Sequence, residues 1–281
     1  MARGKRKLVP ETISIDSDTP TSEFSGNQTS EHVGASLSGH RKMSKEPGDV
    51  RRCFALTSPW DFPPFPRRKR SKRRINRKND ISNQKKLDSG VFQCHFENLW
   101  RSFSEDRKTL FTYLDSLWFF FYRKPLYKAK VLTWIRKKHI FSKNYVFVPI
   151  ICWSHWSLLI FCHFGLNLHS ETRTRCMLLL DSVEMGSPMQ LEPDIRKFVW
   201  DIYKAEGRPE TKNSVYRIPL LVPKVPQQKN GEECGRFVLF FINLFMEGAP
   251  ENFSIKDYPY FMKQNWFTAE GLASFYQKLD S

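Results

Sequence analysis

Regularly spaced apolar residues begin at about Val91, and their spacing predicts the helices of this chain. In the first helical segment, Phe96, Leu99, Trp100 and Phe103 share one face. The segment 234–247 is apolar on nearly every side, which indicates a helix buried in the middle of a domain. Further amphipathic helices are predicted at 109–122, 194–206 and 268–279, and a short basic helix or turn at 130–140. In segment 194–206 the inward positions are Ile195, Phe198, Val199, Ile202 and Tyr203.

Continuous apolar runs predict buried strands at 145–151, 156–164 and 176–181, and a further strand at 215–222. The longest stretch without charged residues after residue 90 is 145–168, which is long enough to suggest a membrane-spanning helix. Pro149 and the polar Trp153-Ser154-His155 interrupt this stretch, so two strands joined by a polar turn are the better interpretation. The pattern as a whole predicts an α+β domain at 91–281, of about 190 residues.

Residues 1–90 differ from the rest in composition and charge. They hold 20 of the 45 Lys and Arg residues and 10 of the 29 Asp and Glu residues, and they are rich in Ser, Thr, Pro and Gly. No apolar periodicity persists there, so we predict a disordered basic tail. Nine of the twelve residues from Arg67 to Lys78 are basic, and Lys5-Arg6-Lys7 forms a second cluster. These clusters are typical of nuclear import signals, although a solvated charge run or a non-specific phosphate-binding patch is the alternative.

The overall composition excludes two classes of protein. A mean hydropathy of −0.51 argues against a membrane protein. Six cysteines in 281 residues are too few for a disulfide scaffold, and they show no repeated CxxC spacing. Zinc is a rival use of Cys152, His155, Cys162 and His163, but their spacing is not that of a known zinc site. We therefore expect neither a metal ion nor a cofactor.

Cys234 is the first candidate for chemistry, because it begins the predicted buried helix and has Gly231 and Gly235 close by. The partial positive charge and free N–H groups of a helix N-terminus favour the thiolate, which is the nucleophilic form of cysteine. The glycines allow another backbone to approach closely. A buried structural cysteine is the alternative interpretation.

A thiolate enzyme also needs a base and a group that orients it. His155 lies at a predicted strand edge. Asp181 ends an apolar strand, where a charged residue indicates a specific role such as orienting the base. Gln228 is a candidate amide donor for an oxyanion, with Gln227 and Asn230 as competitors. Taken singly, His155 is better interpreted as an ordinary satisfied imidazole, whereas Asp181 is equally a helix cap or turn carboxylate.

The order His, Asp, Gln, Cys, carried by HWSLL, LLLDS and VPQQKNGEECG, resembles the SUMO-specific cysteine proteases, and most of all the plant branch of their chain-editing class. The resemblance covers about residues 95–270. It implies a papain-like cysteine protease fold with a central mixed sheet flanked by helices. The implied site residues are His155 as base, Asp181 as its orienting group, Cys234 as nucleophile, Gln228 in the oxyanion hole, and Trp156 and Gly235 beside a narrow tunnel for the Gly-Gly tail of the substrate.

Three departures from the family pattern stand out. Glu233 replaces the usual aspartate before the nucleophile, and Tyr113 takes the place of the tryptophan of a lid motif. The interval from His155 to Asp181 is also longer than in the short version of the family, which implies an insertion at 166–175.

The resemblance implies a cysteine isopeptidase that removes SUMO or a related modifier from target lysines without a cofactor. We expect it to act as a monomer, and the basic clusters predict that it acts in the nucleus. A catalytically weak SUMO-binding module and an acyltransferase with the same catalytic order are the alternatives. In the tail, Ile13 and Ile15 precede acidic residues and resemble peptides that bind SUMO by strand addition. Nucleic acid binding, if any, is expected to be non-specific, and no membrane contact is expected.

Overall fold

The computed structural model describes residues 86–166, 173–183 and 188–280. The predictions for the basic clusters at 5–7 and 67–78, and for Ile13 and Ile15, lie outside the described residues. The same holds for the middle of the predicted insertion, at 167–172. The described part begins at Lys86, ahead of the predicted domain boundary at residue 91.

A five-stranded mixed sheet forms the centre of the domain, with the strands side by side in chain order. The two inner pairings, β2 with β3 and β3 with β4, are antiparallel, whereas the two outer pairings are parallel. This arrangement confirms the predicted α+β class. The strands are β1 (Phe111–Tyr113), β2 (Tyr145–Cys152), β3 (His155–Cys162), β4 (Cys176–Leu180) and β5 (Leu220–Leu221).

Helices cover both faces of this sheet. They are α1 (Ser89–Ser102), α2 (Glu105–Leu110), α3 (Trp118–Tyr122), α4 (Pro125–Arg136), α5 (Glu192–Ala205), α6 (Lys212–Tyr216), α7 (Cys234–Gly248) and α8 (Ala269–Asp280). None of them, within the described residues, is long and apolar enough to cross a membrane.

The two faces of the sheet support separate apolar clusters because neighbouring side chains on a strand point in opposite directions. On β3, Leu158 and Ile160 join the cluster formed with α1, α7 and α8, whereas Leu159 and Phe161 join the cluster formed with α3 to α6. Helix α7 is apolar nearly all round because it packs on β3 and also contacts α1 and α8. The prediction for the inward face of α5 is confirmed, since all five residues are buried.

The helix predicted at 109–122 is wrong. That segment instead contains the end of α2, strand β1 and helix α3. Phe111, Thr112 and Tyr113 pair in parallel with β2, so a long-range pairing overrides the local helical spacing. Asp115 then accepts a hydrogen bond from the Leu117 N–H at 2.8 Å in the turn before α3.

The strand predicted at 215–222 is also wrong over most of its length. Thr211 caps a short helix, α6, by accepting a hydrogen bond from the Ser214 N–H at 3.2 Å. Strand β5 is therefore limited to two residues. The basic segment predicted at 130–140 is helical, but its helix begins earlier, at Pro125, a residue that suits the first turn of a helix.

The turn between β2 and β3 fixes the position of His155. Trp153 and Ser154 both have positive φ angles, 49° and 61°, as the central residues of a type I′ hairpin turn require. Cys152 and His155 are therefore direct cross-strand partners. His155 becomes the first residue of β3, at the edge of the sheet where β4 ends.

Candidate active site

The thiol of Cys234 lies at the first position of α7, where the helix N-terminus is packed against β3. The cysteine is free and fully buried. Free backbone N–H groups and the positive end of the helix dipole meet at this point. The local environment therefore favours negative charge on the sulfur.

His155 and Asp181 come together because neighbouring antiparallel strands place the start of β3 beside the end of β4. The His155 Nε2 atom lies 2.7 Å from Asp181 Oδ1. Asp181 Oδ1 also accepts a hydrogen bond from the Val183 N–H at 2.9 Å, which holds the carboxylate in place. His155 is also hydrogen-bonded to the Cys234 side chain, and Nδ1 is the ring nitrogen left for that bond. The structure thus brings together three of the predicted site residues, Cys234, His155 and Asp181, which we call the triad.

The electrostatics of this group favour an ion pair. Burial alone raises the pKa of Cys234, but hydrogen bonds from His155 and from the Trp156 backbone N–H, together with the charges of His155 and Lys86, lower it below the ordinary value of 9.0. Burial lowers the pKa of His155, but Asp181 and Cys234 outweigh this effect and raise it to about 9. A thiolate beside an imidazolium is the form that these opposite shifts stabilise.

The other buried cysteines contrast with Cys234. Cys162 and Cys176 are cross-strand partners on β3 and β4 and are hydrogen-bonded to each other. Burial raises the pKa of Cys162 well above its ordinary value, which keeps it a thiol. No group of three or more potential metal ligands occurs among the described residues.

The side chain of Gln228 lies next to the triad but is held by its neighbours. Its Oε1 atom accepts a hydrogen bond from Ser182 Oγ at 2.7 Å, and its Nε2 atom donates one to the Asn230 carbonyl. An amide has two N–H groups, so one of them is left for a ligand. Gln227, the competing amide, instead donates to the Asp181 carbonyl at 3.2 Å and to the Val225 carbonyl at 2.9 Å.

Trp156 and Gly235 lie next to each other beside the nucleophile. The Trp156 ring stacks on Phe92 of α1, with 4.0 Å between the ring centroids. A Cβ atom built on Gly235 would lie 3.3 Å from both Trp156 Cδ1 and Leu87 Cβ. A side chain at position 235 would therefore press against Trp156 and Leu87.

Residues Lys86 and Leu87 are part of this site, although the sequence analysis did not identify them. The Leu87 carbonyl accepts a hydrogen bond from Trp156 Nε1 at 3.4 Å, and the Lys86 N–H donates one to Glu232 at 2.8 Å. We call residues 86–88 the covering segment, because it lies against both Trp156 and Gly235. Its anchor, the Asp88 cap of α1, was the one available sequence signal.

Tyr113 contacts residues of α1 and the Lys138 side chain. Its hydroxyl donates a hydrogen bond to Glu97 at 2.9 Å, its ring packs on Phe96 and Trp100, and the Lys138 ammonium lies 4.6 Å from the ring centroid. Tyr113 packs at the margin of the apolar cluster that also contains Trp156 and Cys234. It does not bring Tyr113 together with the other predicted site residues.

The sequence and the fold were compared with known proteins. The model of the Ulp1 protease family, C-terminal catalytic domain, matches residues 122–269. A probable ubiquitin-like-specific protease 2B of Arabidopsis thaliana is 33% identical over 152 residues, covering 49% of this chain and 16% of the relative. The ubiquitin-like-specific protease 1D of the same plant is 31% identical over 185 residues, covering 62% of this chain and 30% of the relative. The matched segments are thus less than a third of these relatives.

A crystal structure of a de-sumoylating protease has the same fold. Its TM-score is 0.51 at 20% sequence identity, with 71% of this chain and 75% of that chain covered. The predicted cysteine protease fold, with a central mixed sheet flanked by helices, is confirmed by this similarity together with the sheet described above.

Proposed function

The chain belongs to the Ulp1 protease family, and from this premise we propose that it is a cysteine isopeptidase that removes SUMO or a related ubiquitin-like modifier from the lysines of target proteins. The observation that carries the proposal is the hydrogen-bonded series Cys234, His155 and Asp181. Its opposite pKa shifts favour the ion pair that a thiol protease needs before substrate arrives.

The proposed reaction has two steps. The Cys234 thiolate attacks the carbonyl of the terminal glycine of the modifier, and the resulting oxyanion lies near the N–H groups at the start of α7 and the amide of Gln228. His155 then gives its proton to the leaving lysine amine, and a thioester remains on Cys234. In the second step, His155 takes a proton from water, which attacks the thioester and releases the modifier.

Specificity for a Gly-Gly terminus follows from the narrow space beside the nucleophile. A Cβ atom at position 235 would lie 3.3 Å from the Trp156 ring, so little space separates these two residues. Leu87 lies in the same space, so the tail of the modifier has to displace the covering segment to reach Cys234. The proposed substrate therefore has two consecutive residues without side chains.

A SUMO protein with an electrophile at its C-terminus tests this function directly. We expect it to form a covalent adduct with the intact chain, and we expect Cys234→Ser and His155→Ala to abolish the adduct. Cys176→Ser is a matched control, because that buried thiol belongs to the hydrogen-bonded pair with Cys162. A folded wild-type chain that does not react with the probe would contradict the proposal.

For location and partners, we propose that the chain acts in the nucleus on SUMO conjugates. The cluster from Arg67 to Lys78 supports import, and Ile13 and Ile15 support a second contact with SUMO. Replacement of the basic residues at 67–78 by glutamine is expected to shift a fluorescent fusion to the cytoplasm. A fusion that stays nuclear after this replacement argues against the cluster as the signal.

A further inference from the structure

A cavity of about 630 Å³ lies beside the first turn of α7, and Trp156 is not among the residues that line it. It opens between the first turn of α7, the start of α8 and the loop before α7. The lining residues used in the following argument are Gln227, Glu233, Arg236, Ala273 and Tyr276. Neither Trp156 nor the covering segment contributes to it; they line a separate cavity of about 350 Å³.

Two of the residues that line the larger cavity are directly connected to the triad. Glu233 immediately precedes Cys234 in the chain, and Gln227 donates a hydrogen bond to the Asp181 carbonyl at 3.2 Å. Glu233 and Tyr276 both line the cavity, and burial together with the negative charges of Glu233 and Cys234 raises the pKa of Tyr276. A substrate bound at Cys234 therefore borders this cavity.

The cavity contains polar groups that the described residues leave without hydrogen-bond partners. These are the Gln227 Oε1 atom and the Tyr276 hydroxyl. Tyr276 is only 7% exposed, and the Arg236 guanidinium lies over its ring at 4.8 Å from the centroid. Buried polar groups in a native protein normally have partners, so an acceptor and a hydroxyl on two residues that line this cavity point to a ligand with both donors and acceptors.

We propose that this cavity binds the polypeptide of the acceptor protein next to the modified lysine. The proposal rests on the proposed isopeptidase function and names the part of the substrate that the Gly-Gly channel does not reach. The modifier tail enters past Trp156, so the leaving lysine emerges on the opposite side of Cys234. A peptide backbone presents N–H and C=O groups alternately, which suits Gln227 Oε1 and the Tyr276 hydroxyl. The opposite charges of Glu233 and Arg236 favour a segment with charged side chains of both signs.

The test compares two substrates of the full chain. One is SUMO joined through its C-terminal glycine to a lysine within a peptide, and the other is SUMO joined to a small fluorogenic amine that cannot reach the cavity. The measured quantity is the ratio of the two kcat/KM values. Ala273→Trp fills the cavity from an exposed position on α8, and we expect it to lower this ratio about tenfold.

Two further variants complete the test. Tyr276→Phe removes only the hydroxyl, and we expect a drop of about threefold in the same ratio, the loss of one neutral hydrogen bond. Ser274→Trp is the matched control, because Ser274 is an exposed neighbour on α8 that lines a different cavity. An unchanged ratio in Ala273→Trp, with normal cleavage of the fluorogenic substrate, would overturn the acceptor site alone. A wild-type chain that cleaves neither substrate would overturn the proposed function and the acceptor site together.

Discussion

At the residue scale, the ion pair of Cys234 and His155 sets the pH range of the proposed reaction. The thiolate forms above the pKa of Cys234, which lies below the ordinary value of 9.0. The imidazolium is lost above the pKa of His155, at about 9. Between these two values, the nucleophile and the proton donor are both in their reactive forms.

The pH dependence of kcat/KM follows from these two values. We expect a bell-shaped profile whose alkaline limb falls near pH 9 and whose acid limb lies below the ordinary pKa of a cysteine thiol. Asp181→Asn removes a charge that raises the pKa of His155, so the alkaline limb should move to lower pH. Asp106→Asn, on the exposed side of α2, serves as the control and should leave the profile unchanged. An alkaline limb that stays in place in Asp181→Asn would argue against the pairing.

Gly235 gives a second prediction at this scale. Gly235→Ala places a Cβ atom 3.3 Å from Leu87 Cβ and Trp156 Cδ1, in the space proposed for the modifier tail. We expect kcat/KM for a SUMO substrate to fall about tenfold or more, because the bare backbone channel is narrowed. Gly271→Ala is the matched control on α8, where the nearest atom would be 3.6 Å away. It should leave kcat/KM unchanged, and equal effects of the two substitutions would contradict the channel.

At the element scale, the triad is the meeting point of three chain ends. His155 begins β3, Asp181 follows β4 and Cys234 begins α7. This explains why the three residues could be predicted from the sequence, since each one interrupts or bounds an apolar run. Strand β1 could not be predicted, because its three residues depend on pairing with β2. Leu87 was also missed, because it is a single apolar residue between charged ones, and its partner Trp156 is 69 residues away.

The orientation of the Gln228 amide also could not be predicted from the sequence. The spacing from Cys234 indicates which glutamine lies near the nucleophile, and the structure places it beside the triad. Its direction depends on Ser182, the residue after Asp181, whose hydroxyl donates a hydrogen bond to Gln228 Oε1 at 2.7 Å. The spacing between Gln228 and Cys234 can be read from the sequence. The hydrogen bond between Gln228 and Ser182 cannot, because it joins two loops that are far apart in the chain.

The covering segment gives a prediction for this scale. Leu87→Ala shortens the side chain above Gly235, so Cys234 should react faster with a small alkylating reagent. We expect an increase of about threefold or more in the alkylation rate of the full chain. The control is Leu126→Ala, because Leu126 is 83% exposed on α4. Equal alkylation rates for wild type and Leu87→Ala would show that the segment does not cover the thiol.

At the scale of the whole molecule, the apolar cluster of α1, α7 and α8 holds the triad in place. Phe245 of α7 is fully buried and contacts the rings of Phe111, Tyr145 and Phe147. This contact joins the nucleophile helix to β1 and β2. The geometry of the site therefore depends on packing at the far end of α7.

Phe245→Ala is expected to lower the free energy of unfolding by about 3–5 kcal/mol, because it leaves a cavity among these rings. Met189→Ala, at a residue that is 44% exposed, should change it by less than about 0.5 kcal/mol. Chemical denaturation monitored by circular dichroism measures both values. Similar values for the two variants would contradict the central role of this cluster.

The covering segment also affects how fast the Cys234 sulfur is oxidised. A thiolate of low pKa is ordinarily the first sulfur that peroxide oxidises, and oxidation beyond the sulfenic acid is irreversible in most proteins. Here the low pKa is combined with complete burial of Cys234, and Leu87 and Trp156 lie against the next residue, Gly235. The resting molecule thus keeps a reactive sulfur out of reach of oxidants. A substrate that displaces Leu87 also opens the path for peroxide, so oxidative damage should accumulate with the number of turnovers rather than with time.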